Sequence, residues 1–327
     1  WRGANPSRDP LSMPASQPVH SGCQRTVRHR RPSTEPTTSW GGEERVPDSH
    51  LQPIVCCLGQ PVAGNPTQFM IERAFTAAGL DWRYLTLEVA PHDLAAAIAG
   101  MRALGFRGGN ITIPHKVSVI EHLDGLSQAA ELMGAVNCIN REGDQLLGEN
   151  TDGKGFVQSL REQTDPDGKQ VVMFGAGGAA RAIAVELGLA GADRITLVNR
   201  SEQRGRDLVD LLSTKVEVTA ELVVWEGDYQ IPEGTDLVIN ATSIGLGDLE
   251  ARVPVDVDTL TTDTVVADVV FNPPQTRFLR EASDCGCRTI DGLGMLVNQG
   301  VIGFHVWTDI DADAAVMREA LEEYLEL

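Results

Sequence analysis

No C-x-x-C pair occurs in this chain, and its six cysteines (Cys23, Cys56, Cys57, Cys138, Cys285 and Cys287) stand apart from any histidine cluster at metal-ligand spacing. That pattern argues against a zinc module or a dithiol redox motif. It implies no bound metal and reduced thiols in a cytosolic (cytoplasmic) protein. Positive charge is also scarce. Lys and Arg number 27 against 46 Asp and Glu, for a formal net charge of -19. So acidic a surface repels phosphate backbones and anionic lipid, which excludes nucleic acid and membrane as natural partners. An anionic cofactor must then be held by local devices, because the global field opposes it. No apolar run approaches the length of a membrane span, and no solenoid-type repeat is present.

What is present is ordinary for a globular chain: 327 residues, 42% hydrophobic and 22% charged, enough for two domains with sizeable cores. Residues 1–50 differ from the rest. They are rich in Ser, Pro and Arg, with Arg25, Arg28, Arg30 and Arg31 close together and almost no apolar periodicity. Such a stretch cannot bury enough surface to offset its ordering entropy and reads as a disordered leader, with a transit peptide as the alternative.

From Ile54 the pattern becomes regular. An apolar strand over 54–58 ends at Gly59, a helix over 69–78 closes at Gly79, a strand covers 82–89 and a helix covers 93–104. A short strand over 110–113 is stopped by Pro114. The second half repeats the alternation, with strands at 171–174, 195–198, 237–239 and 265–270, helices at 179–189 and 203–212, and a final amphipathic helix over 312–325. Strands alternating with helices predict an α/β fold with mainly parallel sheets.

Val171-Val172-Met173-Phe174 runs directly into Gly175-Ala176-Gly177-Gly178-Ala179-Ala180. This is G-x-G-x-x-A between a strand and a helix, the context a Rossmann-type dinucleotide site requires. Gly175 permits the tight turn, Gly177 lets backbone approach a pyrophosphate, and the amides of Gly178 and Ala179 open the helix toward the phosphates. The competing reading is an ordinary strand-to-helix turn. An NAD site carries Asp or Glu at the end of the next strand, to accept the ribose 2′-hydroxyl. Here that place holds Asn199-Arg200-Ser201, with Arg204 a helical turn further on. Two cations and a hydroxyl suit a 2′-phosphate, which selects NADP, although two arginines coating a helix start would look the same.

Several further segments resemble the shikimate dehydrogenase family. In the first half they are Gly109-Asn110-Ile111-Thr112-Ile113-Pro114-His115-Lys116, Gly134-Ala135-Val136-Asn137 and Asn150-Thr151-Asp152-Gly153-Lys154-Gly155-Phe156. The second half adds Asn240-Ala241-Thr242-Ser243-Ile244-Gly245-Leu246 and Gly292-Leu293-Gly294-Met295-Leu296-Val297-Asn298-Gln299. They stand in family order over all but the leader. The resemblance implies a substrate domain over 51–152 and 291–327, a Rossmann-type NADP domain over 153–290, and a cleft between them. It implies NADPH-dependent reduction of 3-dehydroshikimate to shikimate, a step of aromatic amino acid biosynthesis, with no macromolecular partner beyond a homodimer. Quinate or an aminated ring acid is the alternative substrate, and a non-catalytic NADP sensor the alternative role.

The same resemblance assigns roles. Lys116 and Asp152 would be the catalytic pair, the ammonium polarising the carbonyl and handing over a proton, with the immediate donor left open between the two. Asn110, Thr112, Asn137 and Gln299 would bond ring hydroxyls, Thr242 and Ser243 would lie beside the nicotinamide half of the cofactor, and Met295 would pack on that ring. His115 reads as a packing or surface residue. The first loop departs from the family pattern G-x-P-x-x-H-S-x-S-P. Asn65 and Thr67 take the two serine positions that bond the substrate carboxylate, Gly64 replaces His, and Gln68 replaces Pro. Phe271 stands where the family has a Tyr. The changes meet at one end of the substrate, so the preferred ring acid is left open.

Overall fold

In the computed structural model, residues 51–327 are described, and the leader expected over 1–50 lies outside them. The apolar run at the start becomes β1 (Ile54–Gly59), buried along nearly its whole length because it runs through the middle of a sheet. It is followed by α1 (Thr67–Ala77), β2 (Arg83–Glu88), α2 (Leu94–Ala103) and β3 (Gly108–Ile111). Next come β4 (Gly125–Leu126), α3 (Gln128–Met133), β5 (Cys138–Glu142), β6 (Gln145–Glu149) and α4 (Thr151–Arg161). The six strands form one sheet in the order β2-β1-β3-β5-β6-β4. The β1–β2, β1–β3 and β4–β6 pairs are parallel, as expected, whereas β5 joins β3 and β6 antiparallel. That hairpin turns at Gly143, whose φ of 60° suits a residue without a Cβ. The strand expected over 110–113 starts and stops two residues earlier, so Thr112 and Ile113 lie on the loop beyond it.

The second half gives β7 (Gln170–Phe174), α5 (Gly178–Leu189), β8 (Arg194–Asn199), α6 (Glu202–Leu211), β9 (Thr219–Val224), β10 (Tyr229–Gln230) and β11 (Leu237–Asn240). It continues through β12 (Val255–Asp256), β13 (Val265–Asp268), α7 (Arg277–Asp284) and β14 (Arg288–Ile290) to α8 (Gly292–Thr308) and α9 (Ala314–Leu325). Six of these strands make a wholly parallel sheet in the order β14-β13-β11-β7-β8-β9, and β10 and β12 form a separate ribbon. Read from β7, the chain winds outward through β8 and β9, then returns to start again at β11 on the other side. This is the doubly wound order, and it opens a crevice where the winding reverses, between the carboxyl ends of β7 and β11.

Helix α4 ties the two sheets together. A Cβ on Gly153 would strike the Ala182 carbonyl of α5, and one on Gly155 would lie 2.6 Å from the Gln299 amide nitrogen of α8. Both glycines of Asp152-Gly153-Lys154-Gly155 therefore exist for close helix packing, which seats the start of α4 between the halves. Trp307 anchors the far end of α8 by donating its indole N–H to Ile139 of β5 at 3.0 Å. No helix among the described residues is long and apolar enough to cross a membrane. Cys56, Cys57, Cys138, Cys285 and Cys287 are unpaired, and Cys23 lies outside the described residues.

Candidate active site

Asn150 caps α4 by accepting the Asp152 N–H at 3.2 Å, so Asp152 stands in the first helical turn. Lys116, on the loop after β3, reaches across and donates to Asp152 Oδ2 at 2.7 Å. The two residues lie 36 positions apart in sequence. Asn137, just before β5, donates to the other carboxylate oxygen at 2.7 Å and to Thr151 Oγ1 at 3.0 Å, while its Oδ1 accepts the Thr151 N–H at 2.7 Å. Asn110 donates to the Asn137 carbonyl at 3.2 Å. Lys116, Asp152, Asn137 and Asn110 thus form one connected group. Lys154 is drawn away from it by Glu149, at 2.8 Å.

The remaining substrate-side residues line up less completely. Asn65 Oδ1 accepts the Thr67 N–H at 2.9 Å, forming a local turn, and its amide nitrogen lies 3.9 Å from Cys57 Sγ. Thr67 is buried at the start of α1. Gln299 is buried on α8 and donates to the Leu296 carbonyl at 2.9 Å, which leaves its side-chain oxygen for another donor. Thr112 is half-buried on the loop after β3. His115 is fully buried, with one ring nitrogen 2.7 Å from the Val89 carbonyl, which decides for the packing role. Gln68 accepts the Thr86 N–H at 3.1 Å, and Phe271 packs against the core cluster around α8.

At the crevice of the parallel sheet a cavity of about 520 Å³ is lined by Gly175, Ala176, Gly177, Asn199, Arg200, Thr242 and Ser243, among others. Gly175 has φ 112°, and a Cβ there would lie 2.8 Å from the Ala241 carbonyl, so the turn admits only glycine. Gly177 and Gly178 face open space, and no side chain caps α5. The free amides and the room above them fit a pyrophosphate. Ser201 caps α6 by accepting the Arg204 N–H at 3.5 Å. Neither the Arg200 nor the Arg204 guanidinium has an ion-pair partner among the described residues, whereas Arg206, two residues further, pairs with Glu202. Two unpaired cations beside the end of β8, in so acidic a chain, fit a 2′-phosphate. Ala179 is half-buried on the first turn of α5, and Met295 is half-buried on α8 against the core of the parallel-sheet half.

Sequence reading missed Trp225, which lines the same cavity and donates its indole N–H to the Pro254 carbonyl at 3.1 Å. Its signal was faint, because β9 before it is half-exposed and its apolar run, Leu222-Val223-Val224, fills only its second half. It also missed Asp268, which holds the loop beside the cavity from below. Asp268 is buried and accepts from Asn240 Nδ2 at 2.9 Å, Val270 N at 3.0 Å and Thr276 Oγ1 at 2.7 Å. Asn240 in turn accepts from Thr242 Oγ1 at 2.7 Å and donates to the Ile244 carbonyl at 3.1 Å. The Thr242 hydroxyl is therefore committed to its own loop, while Ser243 is exposed.

Burial pushes the Asp268 carboxyl up to about 6, against the three hydrogen bonds that hold it down. A carboxyl whose pKa is raised on folding contributes stability that is complete below its ordinary range and lost as pH rises through the folded value. Relative to Asp268→Asn, the unfolding free energy of the native protein should fall by about 2–3 kcal/mol from about pH 4 to about pH 6.5, then level off. Denaturant titrations at several pH values measure this, and a constant difference between the two proteins would contradict it.

The chain is similar to known proteins of one family. The family described as "Shikimate dehydrogenase substrate binding domain" matches residues 57–139, and "Shikimate 5'-dehydrogenase C-terminal domain" matches residues 292–322. A shikimate dehydrogenase (NADP(+)) of Methanopyrus kandleri is 42% identical over 277 residues, covering 83% of this chain and 96% of that protein. The chain belongs to the shikimate dehydrogenase family, whose curated members of this similarity are NADP-dependent oxidoreductases. Among solved structures, the ligand-free 5-ketofructose reductase of Gluconobacter sp. strain CHM43 is 50% identical, with TM-score 0.83 over 84% of this chain and 99% of that one. A shikimate dehydrogenase in complex with NADP+ is 34% identical, with TM-score 0.76 over 83% of this chain and 95% of that one.

Proposed function

We propose that this protein is an NADPH-dependent reductase of a polyhydroxylated ketone, and that its substrate is a neutral keto sugar of the 5-ketofructose kind. The observation that carries the reductase reading is the Lys116–Asp152 contact at 2.7 Å. When bound, NADPH supplies the hydride. Lys116 donates a hydrogen bond to the ketone oxygen and passes it a proton as negative charge develops there. Its side chain is 33% exposed, so solvent can restore that proton. Asp152 holds the ammonium in place and accepts from a neighbouring substrate hydroxyl. Asn110, Thr112 and Gln299 bond further hydroxyls, and Asn65 and Thr67 close the far end. Asn137, its amide spent on Asp152 and Thr151, serves by holding the Asp152 carboxylate and does not meet a hydroxyl itself. The substrate part comprises 51–152 and 291–327. In the cofactor part, 153–290, Gly175, Gly177, Gly178 and Ala179 receive the pyrophosphate. Asn199, Arg200, Ser201 and Arg204 meet the 2′-phosphate, and Thr242, Ser243 and Met295 border the nicotinamide.

The neutral substrate is supported by what stands at the far end of the site. Asn65 carries an amide where the family pattern has a serine hydroxyl, Thr67 keeps the other hydroxyl, and Phe271 has none. A substrate carboxylate would meet fewer hydroxyl donors there than the family pattern supplies, and a net charge of -19 opposes its approach. The half-identical 5-ketofructose reductase points the same way. The competing reading is 3-dehydroshikimate, favoured by the curated relatives at 42–43% identity.

Initial rates with NADPH and each ketone decide between them. Each missing bond to a charged group is worth ~1.5–3 kcal/mol, so kcat/KM should favour 5-ketofructose over 3-dehydroshikimate by about a hundredfold. An equal or reversed preference returns the assignment to the ring acid, and turnover of neither ends the reductase reading.

A further inference from the structure

Tyr84 has no role in the chemistry described so far, yet it is fully buried beside it. Its hydroxyl donates to Asn110 Oδ1 at 2.7 Å. Its backbone is held as well. Residue 84 faces outward on the edge strand β2, and its amide finds Glu72 of α1 at 3.4 Å, just as Thr86 finds Gln68 one pair along. Burial drives the phenol well above its ordinary range, so it keeps its proton. A line of hydrogen bonds runs from the Tyr84 phenol to the Asn110 oxygen, from the Asn110 amide to the Asn137 carbonyl, and from the Asn137 amide to the Asp152 carboxylate.

We propose that Tyr84 is a positioning residue for substrate recognition, anchoring the oxygen end of the Asn110 amide and so fixing the plane in which it faces the ketone-binding side of the site. An amide offers two N–H donors and two acceptor lone pairs. Asn110 gives one N–H to the Asn137 carbonyl and one lone pair to Tyr84, which leaves a single donor and a single acceptor in fixed places for a polyol. Without the phenol the amide is held at its nitrogen end alone, by the Asn137 carbonyl, and its plane can swing about that one bond, so the free donor and acceptor lose their fixed places.

This rests on the reductase reading given above, and the test keeps the two apart. Tyr84→Phe, Asn110→Ala and the double variant are assayed with NADPH against 5-ketofructose and 3-dehydroshikimate. Tyr84→Phe should raise the KM of the ketone the native enzyme prefers by about tenfold, with kcat changed less than about threefold and the KM for NADPH unchanged. In the Asn110→Ala background the same change should add less than about twofold, because the amide it acts through is gone. An unchanged ketone KM, an equal rise in the NADPH KM, or full additivity in the double variant overturns the positioning role while leaving the reductase in place. Native protein that reduces neither ketone overturns both.

Discussion

Replacing Lys116 by alanine should lower kcat by about 10³-fold, the scale on which a positioned proton donor contributes, while the KM for NADPH stays within a factor of about two. The loss should be kinetic and not structural. The Lys116–Asp152 pair is 33% and 22% exposed, a setting in which an ion pair adds no more than about 1 kcal/mol to stability. Asp152 also keeps its bond from Asn137 when the lysine is gone. Thermal unfolding of the variant should therefore remain close to that of the native protein. A Lys116→Ala enzyme with more than about a tenth of native kcat would remove the proton-transfer role and leave Asp152 or water as the donor.

Removing Arg200 and Arg204 together should raise the KM for NADPH by about a hundredfold or more and leave the KM for NADH nearly unchanged. Each charge-assisted bond to a phosphate is worth ~1.5–3 kcal/mol, and exposure of both side chains places them at the lower end. The prediction depends on neither guanidinium being occupied elsewhere, which distinguishes them from Arg206 and most other arginines among the described residues. The acidic surface sharpens it, since the long-range field of the protein does nothing to retain a dianionic end group. Steady-state kinetics with both cofactors measure it. A parallel rise for NADPH and NADH would mean that the arginines serve the shared part of the cofactor, and an unchanged NADPH constant would remove the 2′-phosphate site.

How far the chain could be read before folding differed from one part to another. The parallel sheet was nearly complete in the residue order, because strands buried on both faces are apolar throughout and a glycine-rich turn must follow β7. β14 was lost because it is three residues long, and β9 because it is half-exposed and apolar only in its second half. The β5–β6 hairpin was lost for a related reason. Its pairing is antiparallel inside an otherwise parallel arrangement, and alternation over five residues does not reveal a partner. His115 reads ambiguously as a sequence element, and only its burial against Val89 settles its place.

The residue order alone determined which chemical groups this protein possesses. It fixed a lysine after Pro114, a carboxylate in the first turn of α4, glycines where backbone must approach a phosphate, and no acid after β8. Those follow from local rules, because a turn, a cap or a helix start is specified within a few residues. Tertiary structure decided which groups meet. The line of hydrogen bonds from Tyr84 to Asp152 joins residues 26, 27 and 15 positions apart at successive steps, on two strands, the residue before β5 and a helix start. No local rule encodes such contacts. They arise because β1, β2 and β3 pair in one register and because Gly153 and Gly155 let α4 settle against α5 and α8.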